Sequence, residues 1–329
     1  MLISRKTKTH YLLFALLALI CAAFFIGLSN GPIAIKLGNI FNLSANERQI
    51  LWQIRWPRVL AAFIVGASLA SAGASFQGIL QNPLADPYIL GVSAGAALGA
   101  VLFFLFGLST SIFFLPLSAF MGAMIATLTV FFIIRLVKQY SIIHFILVGI
   151  MVNAFFSSAN FLILVFADEK LAHIFSWLMG DITLVPFSIL IWIFLLAGII
   201  TGALTMLSQK INIVSLGDAT ATSVGINIYR LRIAVFFLAS ILTGLAVACS
   251  GIVGFIGLVV PHFLRLIIND DFRILIPFSF LLGGSFLVLT DTIARTIIPG
   301  MEIPVGVLTS FIGAPFFIFL FIKTLSKET

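Results

Sequence analysis

Charge is what this 329-residue chain lacks: Asp, Glu, Lys and Arg make up 9% of it, against roughly 25% in soluble domains. No charged residue falls between 87 and 134, between 182 and 209, or between 233 and 264. Each gap exceeds the roughly 20 apolar residues that cross a bilayer core as a helix, which excludes a water-soluble globule. Cysteine is scarce as well: Cys21 and Cys249 lie in different apolar runs, which excludes a disulfide framework and a Cys-rich metal centre. The histidines, His10, His144, His173 and His262, are scattered, and neither H-E-x-x-H nor G-x-S-x-G occurs, so nothing supports an intramembrane hydrolase. No Gly is followed by Lys, so the phosphate-cradling G-x-x-x-x-G-K-[ST] loop is missing, and any ATP-driven work falls to a partner. Intramembrane carboxylates are few, with Asp291 foremost, whereas proton-coupled carriers rely on buried acid or His relays.

What is present is a series of apolar runs bounded by charges, Gly and Pro: about 11–29, 58–80, 89–107, 112–135, 142–167, 186–208, 231–250, 256–269, 276–297 and 305–323. They predict an all-α polytopic membrane protein with about ten transmembrane helices, because in lipid every backbone donor and acceptor needs an internal partner and the runs lack the two-residue alternation of a barrel. The first run follows Arg5, Lys6 and Lys8 as a signal peptide would, but it is longer than an h-region and reads as a span. The eighth is short enough to be a half-helix behind a re-entrant turn at Gly251–Gly257. With ten spans, both termini share a side carrying Arg5, Lys6, Lys8, Arg135, Lys138, Lys210, Arg230, Arg232, Arg265, Arg273, Lys323 and Lys327; Lys36, Arg48, Arg55, Arg58, Lys170 and Arg295 face the other. The positive-inside rule puts both termini in the cytoplasm. The excess of 18 basic over 11 acidic residues therefore reflects topology, and no basic cluster with aromatic platforms suggests nucleic acid.

Small residues crowd the second and third spans, from Gly66 to Ser75 and from Gly91 to Gly99, where they predict close helix packing with a pore-lining minority. Asp291 and Arg295 stand four apart on one helix and can pair, or leave the arginine to a partner. Two prolines in Gln81-Asn82-Pro83-Leu84-Ala85-Asp86-Pro87 force a turn. The loop 213–227 holds Val214, Ala221 and Val224 at helical spacing between Gly217 and Gly225, a short amphipathic piece suited to a partner's groove. A loose echo of Arg58, Ala67-Ser68 and Asn82-Pro83 in Arg232, Ala239-Ser240 and Val260-Pro261 suggests an inverted repeat.

Several of these strings, in order, resemble the permeases of ATP-binding-cassette importers for iron-siderophore complexes, haem and vitamin B12: Arg55-Trp56-Pro57-Arg58; Gln81 to Pro87; Leu90-Gly91-Val92-Ser93-x-Gly95; Gly254-Phe255-Ile256-Gly257-Leu258-Val259-Val260-Pro261-His262-x-x-Arg265; and Asp291-x-x-Ala294-Arg295 with Glu302-Ile303-Pro304-Val305-Gly306 and Gly313-Ala314-Pro315. The resemblance runs from about residue 50 to the C-terminus. It implies a single ten-helix domain of the type II importer fold that pairs with a second permease copy around one pathway. Two cytoplasmic ATPase subunits, which alone use ATP and Mg, and an extracytoplasmic binding protein complete the assembly; this chain is not an enzyme and holds no cofactor or metal. Leu216, Gly217, Asp218, Ala221, Val224 and Gly225 match the coupling helix seated in the ATPase. Arg55, Arg58 and Arg295 match arginines that meet acidic residues of the binding protein, and Asn82 and Leu84 match the cytoplasmic gate. Ile252 departs from the pattern where Pro is frequent, and Asp181 where small residues are common.

The fifth span, with Asn153, Phe155, Phe156, Ser157, Ser158, Asn160 and Phe161, is the segment expected to line the pathway, with Asn153, Phe156, Ser157 and Asn160 foremost, and its mixture of amides and aromatics suits a bulky chelate. Ferric siderophore is the first expectation for cargo, with haem, cobalamin and molybdate as alternatives. A secondary carrier or channel is the rival class.

Overall fold

The computed structural model describes residues 5–33, 35, 43–106, 114–137, 141–167, 170–182, 185–268, 270–298 and 300–325. Lys36, Lys138 and Lys327 of the charge count lie outside them, as do residues 107, 112–113 and 269 at the ends of three apolar runs. The helices are α1 (Arg5–Ser29), α2 (Ala45–Gln49), α3 (Trp56–Ile79), α4 (Val92–Leu105), α5 (Phe114–Val137), α6 (Ile142–Leu164), α7 (Leu171–Leu178), α8 (Phe187–Val214), α9 (Asp218–Ser223), α10 (Ile228–Ser250), α11 (Ile256–Ile268), α12 (Phe272–Ala294) and α13 (Val305–Leu325). A six-residue π-helical stretch, Ile50–Arg55, joins α2 to α3 without a break, and no strand occurs among the described residues. Seven helices are long and apolar enough to cross a bilayer; α4, α11 and α13 are apolar but shorter.

The surface departs from that of a soluble protein. Small residues of the central helix and large ones such as Phe76, Phe145 and Phe236 fill the interior, and large apolar side chains such as Phe155, Phe161, Trp192 and Met206 lie on the outside as well. Such a surface is tolerable only against acyl chains, and the chain is an integral membrane protein. At the centre stands α3, buried at every position from Ala61 to Ile79. Its 24 residues span about 36 Å at 1.5 Å per residue, enough to cross a hydrocarbon core. Glycines let its neighbours approach to backbone contact. A Cβ on Gly66 would stand 2.1 Å from the Gly283 carbonyl oxygen of α12, and one on Gly73 would stand 2.0 Å from that of Gly257 in α11. The small residues of α3 therefore pack against their own chain, and the pore-lining minority expected there is not found.

Pro261 lies inside α11, so the Gly257 carbonyl four residues earlier has no helical donor. The Gln77 amide of α3 donates to it at 3.1 Å and so closes the gap that the proline leaves. Elsewhere the structure corrects the loop expectation. Helix α8 continues to Val214, beyond residue 208, and ends before Gly217 (φ +119°); Val214 and Ala221 thus belong to different helices. Ala221 is buried but Val224 is exposed, so the single apolar stripe from Val214 to Val224 does not form. The inverted echo survives at its start only: Arg58 and Arg232 each sit in the first turns of a long helix, but Pro83 lies in a turn and Pro261 inside a helix.

Candidate functional site

Polar side chains gather at the two ends of α3. At its C-terminal end Gln81 adopts a left-handed conformation (φ +52°), a strained choice for a residue with a Cβ. That conformation sends its amide across to α8 and α9, where Nε2 donates to the Val214 carbonyl at 2.7 Å and to Asp218 Oδ1 at 3.1 Å. The buried Arg232 of α10 closes the node, donating through Nη2 to both Asp218 oxygens at 2.8–2.9 Å. One carboxylate thus ties the turn after α3 to α9 and α10. On the open side of this node Leu216, Leu84 and Val224 are exposed apolar side chains, and Gly217 and Gly225 hold positive φ with open space around them. Nearby, Asp271 caps α12 and accepts from the Asn212 amide of α8 at 2.9 Å. Bonds from Arg273, then Asn212, pull its carboxyl down to about 2.

From Gln81 the chain turns back on itself. Asn82 Oδ1 accepts from the Leu84 backbone N–H at 2.9 Å, an Asx turn that presents Leu84 at its tip. The Tyr88 hydroxyl then donates to the Val253 carbonyl at 3.0 Å and accepts from the Val253 N–H at 3.3 Å. Pro87 lies against Gly257, and Gly91 (φ +74°) against the backbone of Asn153 in α6. Two non-helical segments, 80–91 and 251–255, therefore meet inside the bundle. This meeting accounts for the shortness of α4 and α11, because non-helical chain carries each part of the way. Irregular backbone at such depth is tolerated only where protein, not lipid, surrounds it.

At the opposite end of α3, Arg58 holds Asp291 of α12 through Nη2 at 3.0 Å and Nε at 3.1 Å, and reaches Glu302 at 2.7 Å. Asp181 borders the same polar cavity, its carboxyl raised by burial against the opposing pull of Arg58. The pairing of Asp291 with Arg295 exists at 3.5 Å, but Arg58 is the nearer partner. Arg55 and Arg295 are 2% and 4% exposed and turn inward to the C-terminus of α1. Arg55 donates to the carbonyls of Leu28 and Ser29 at 2.8 and 2.9 Å and to that of Ile33, Arg295 donates to that of Gly27, and Asn30 takes that of Ile26. The four carbonyls that end a helix without partners are all satisfied. An arginine left free at Arg295 is thus not what the structure holds.

The expected pathway residues Asn153, Phe156, Ser157 and Asn160 share one face of α6 but differ in burial along it. Asn153 and Ser157 are half-exposed, whereas Phe156 is buried and the Asn160 amide donates to the Ala94 carbonyl of α4 at 3.0 Å. Phe156 and Asn160 face inward, toward the chain's own core. Phe155, Ser158 and Phe161, expected beside them in the lining, are exposed.

A family model described as the FecCD transport family matches residues 16–323. The chain belongs to that family. Among curated relatives of this FecCD protein, the ABC transporter permease protein YvrB of Bacillus subtilis (strain 168) is 37% identical, covering 92% of this chain and 91% of that protein. The hemin transport system permease protein HmuU of Yersinia pestis is 35% identical, with 95% and 96% covered. A solved metal-chelate type ABC transporter in an inward-facing conformation superposes with a TM-score of 0.85 at 33% identity, covering 94% of this chain and 98% of that one. Other relatives are named for vitamin B12, molybdate and iron chelatin. This FecCD chain is an ABC importer permease, and such permeases work with ATPase and substrate-binding partners.

Proposed function

We propose that this chain, as one of two identical copies, forms the membrane pathway of an importer that carries a metal chelate, ferric siderophore first among candidates, across the cytoplasmic membrane by alternating access. Ten spans with both termini cytoplasmic put the Asp218 end inside, where α9 and its exposed flanks Leu216 and Val224 seat in the ATPase. The Arg58 end lies outside and receives the binding protein, with Arg58 as the docking arginine nearest solvent and Arg55 and Arg295 fixing the helix end behind it. Asn82 and Leu84 close the inner mouth. The relatives named for hemin, vitamin B12 and iron chelatin support a bulky or chelated cargo, the one named for molybdate a small oxyanion, and the half-exposed Asn153 and Ser157 suit the former.

The observation that carries this reading is the Gln81–Asp218–Arg232 node, because it makes the coupling segment and the gate turn one hydrogen-bonded body. A motion imposed on α9 then moves Asn82 and Leu84 without an intervening hinge. The test is a cycle of Gln81→Ala, Asp218→Ala and the double variant in proteoliposomes that contain the ATPase and the binding protein, with ferric siderophore uptake measured per ATP hydrolysed. Each single variant lowers that ratio about ten-fold and the double variant adds little, since neighbours sharing one bond are not additive. Additive losses, or uptake by the permease without its ATPase, would overturn the reading; preferential uptake of haem, cobalamin or molybdate would replace the cargo alone.

A further inference from the structure

Beside the coupling segment, α8 packs against α10, and between them opens a cavity of about 490 Å³. Its mouth holds Lys210, near the end of α8, and Arg230, in the first turn of α10. Both are exposed, and neither side chain has an ion-pair partner among the described residues. No carboxylate lines the cavity among those residues. One helical turn deeper the wall changes character: Leu207 lies three residues before Lys210 and Ala234 four after Arg230, with Leu231 between Arg230 and Ala234, while Ile226 closes the rim from the segment before α10. Two cations at the rim and an apolar wall behind them form a gradient along the membrane normal.

The geometry points to a binding site for an anionic phospholipid of the inner leaflet, its phosphate held between Lys210 and Arg230 and the upper part of an acyl chain laid along Leu207, Leu231 and Ala234. A free phosphate would use the rim and leave the apolar wall bare. Exposed Met206 on α8 and Phe237 on α10 show that the helices flanking the groove present apolar surface, so a lipid can enter from the side. Lipid-facing cations near the cytoplasmic surface attract anionic headgroups at about 1 kcal/mol each. Two together correspond to roughly a thirty-fold gain in affinity over a neutral rim. Val224 and Gly225 form the remaining edge, so an occupied site would brace the C-terminal flank of α9. The site rests on the orientation proposed above, which puts this end in the leaflet where anionic lipid and basic residues meet.

The test uses the full chain, delipidated in detergent, titrated with phosphatidylglycerol, phosphatidylcholine or inorganic phosphate, with retained lipid read by native mass spectrometry and stability by thermal melting. Phosphatidylglycerol is expected to be retained and to raise the melting temperature, phosphatidylcholine and phosphate to do neither. The double variant Lys210→Gln/Arg230→Gln loses at least ten-fold in retention, Lys210→Arg/Arg230→Lys keeps it, and Arg135→Gln, which removes an exposed cation elsewhere at the same end, leaves it unchanged. Equal retention by the neutral double variant overturns the site, and phosphate competing as well as the lipid overturns the lipid as occupant. Loss of the ATPase from that variant with lipid retention intact assigns the surface to the ATPase instead. The orientation fails separately, if a cysteine introduced at Thr222 is labelled from outside intact cells, because lipid retention in detergent does not depend on it.

Discussion

At the scale of single residues, the arginines show how position and partner can part company. Trp56 and Pro57 place Arg55 at the start of a long helix, which is legible in the sequence, but its partners come from residues 28 and 29 of α1 and residue 33 beyond it, which no local pattern announces. Because those bonds satisfy helix-ending carbonyls from within the protein, Arg55→Gln acts on stability before it acts on docking. Hydrogen bonds to charged groups contribute about 1.5–3 kcal/mol each, so a loss of about 2–4 kcal/mol is expected, read as a lower melting temperature of purified protein and insensitive to salt. A salt-dependent docking defect with an unchanged melting temperature would contradict it. Glycines divide in the same way. Gly73→Ala drives a methyl into the Gly257 carbonyl and should prevent accumulation of folded protein, whereas Gly202→Ala, with nothing within 4 Å, should leave it intact and gain up to about 1 kcal/mol from helix propensity. Expression and melting of the two variants decide the point.

At the scale of elements, long apolar helices were legible because length and charge gaps are properties of a single segment. Helices α2 and α7 were not, at 5 and 8 residues, since so short a helix exists only through what it packs against or how it is capped. The re-entrant pair was half legible: the prolines and glycines of 81–87 and 251–257 announce broken helices, but the Tyr88–Val253 contact that joins them spans 165 residues of chain. Asp271 illustrates an element boundary with a measurable consequence. Its folded carboxyl titrates near 2, below an unfolded value near 4, so its contribution is present above pH 4 and is lost as pH falls toward 2. The bonding Arg273 is more than half exposed, and screening by water reduces the contribution to about 1 kcal/mol. Asp271→Asn, which keeps an oxygen to cap α12 but removes the charge, should therefore lower the melting temperature at pH 7, with the gap narrowing below pH 4 and closing only below pH 2. An undiminished gap at low pH would show that the loss is steric rather than electrostatic.

At the scale of the whole molecule, the two polar ends are joined by a helix with no exposed position between Ala61 and Ile79, so among the described residues α3 itself lines no path for cargo. The proposed function then requires transport along a surface of the chain rather than along this central helix. That requirement fits a pathway between two copies, with the exposed tip of the 81–87 turn as the part that closes on the axis. Leu84 is 45% exposed at that tip, held by the Asx turn of Asn82 rather than by packing. With Cys21 and Cys249 replaced by alanine, Leu84→Cys should cross-link to the same residue of the second copy through a short bifunctional maleimide. The yield should differ several-fold between the nucleotide-free and ATP-bound states of the full assembly, because the Gln81–Asp218 node carries α9 and this tip together. Breaking that node with Asp218→Ala should leave the cross-link possible but remove its nucleotide dependence. A cross-link that forms equally in every state with the node intact would mean that the tip is static, and the gate must then be sought in another exposed segment, with the face of α6 that carries Phe155 and Ser158 the next to test.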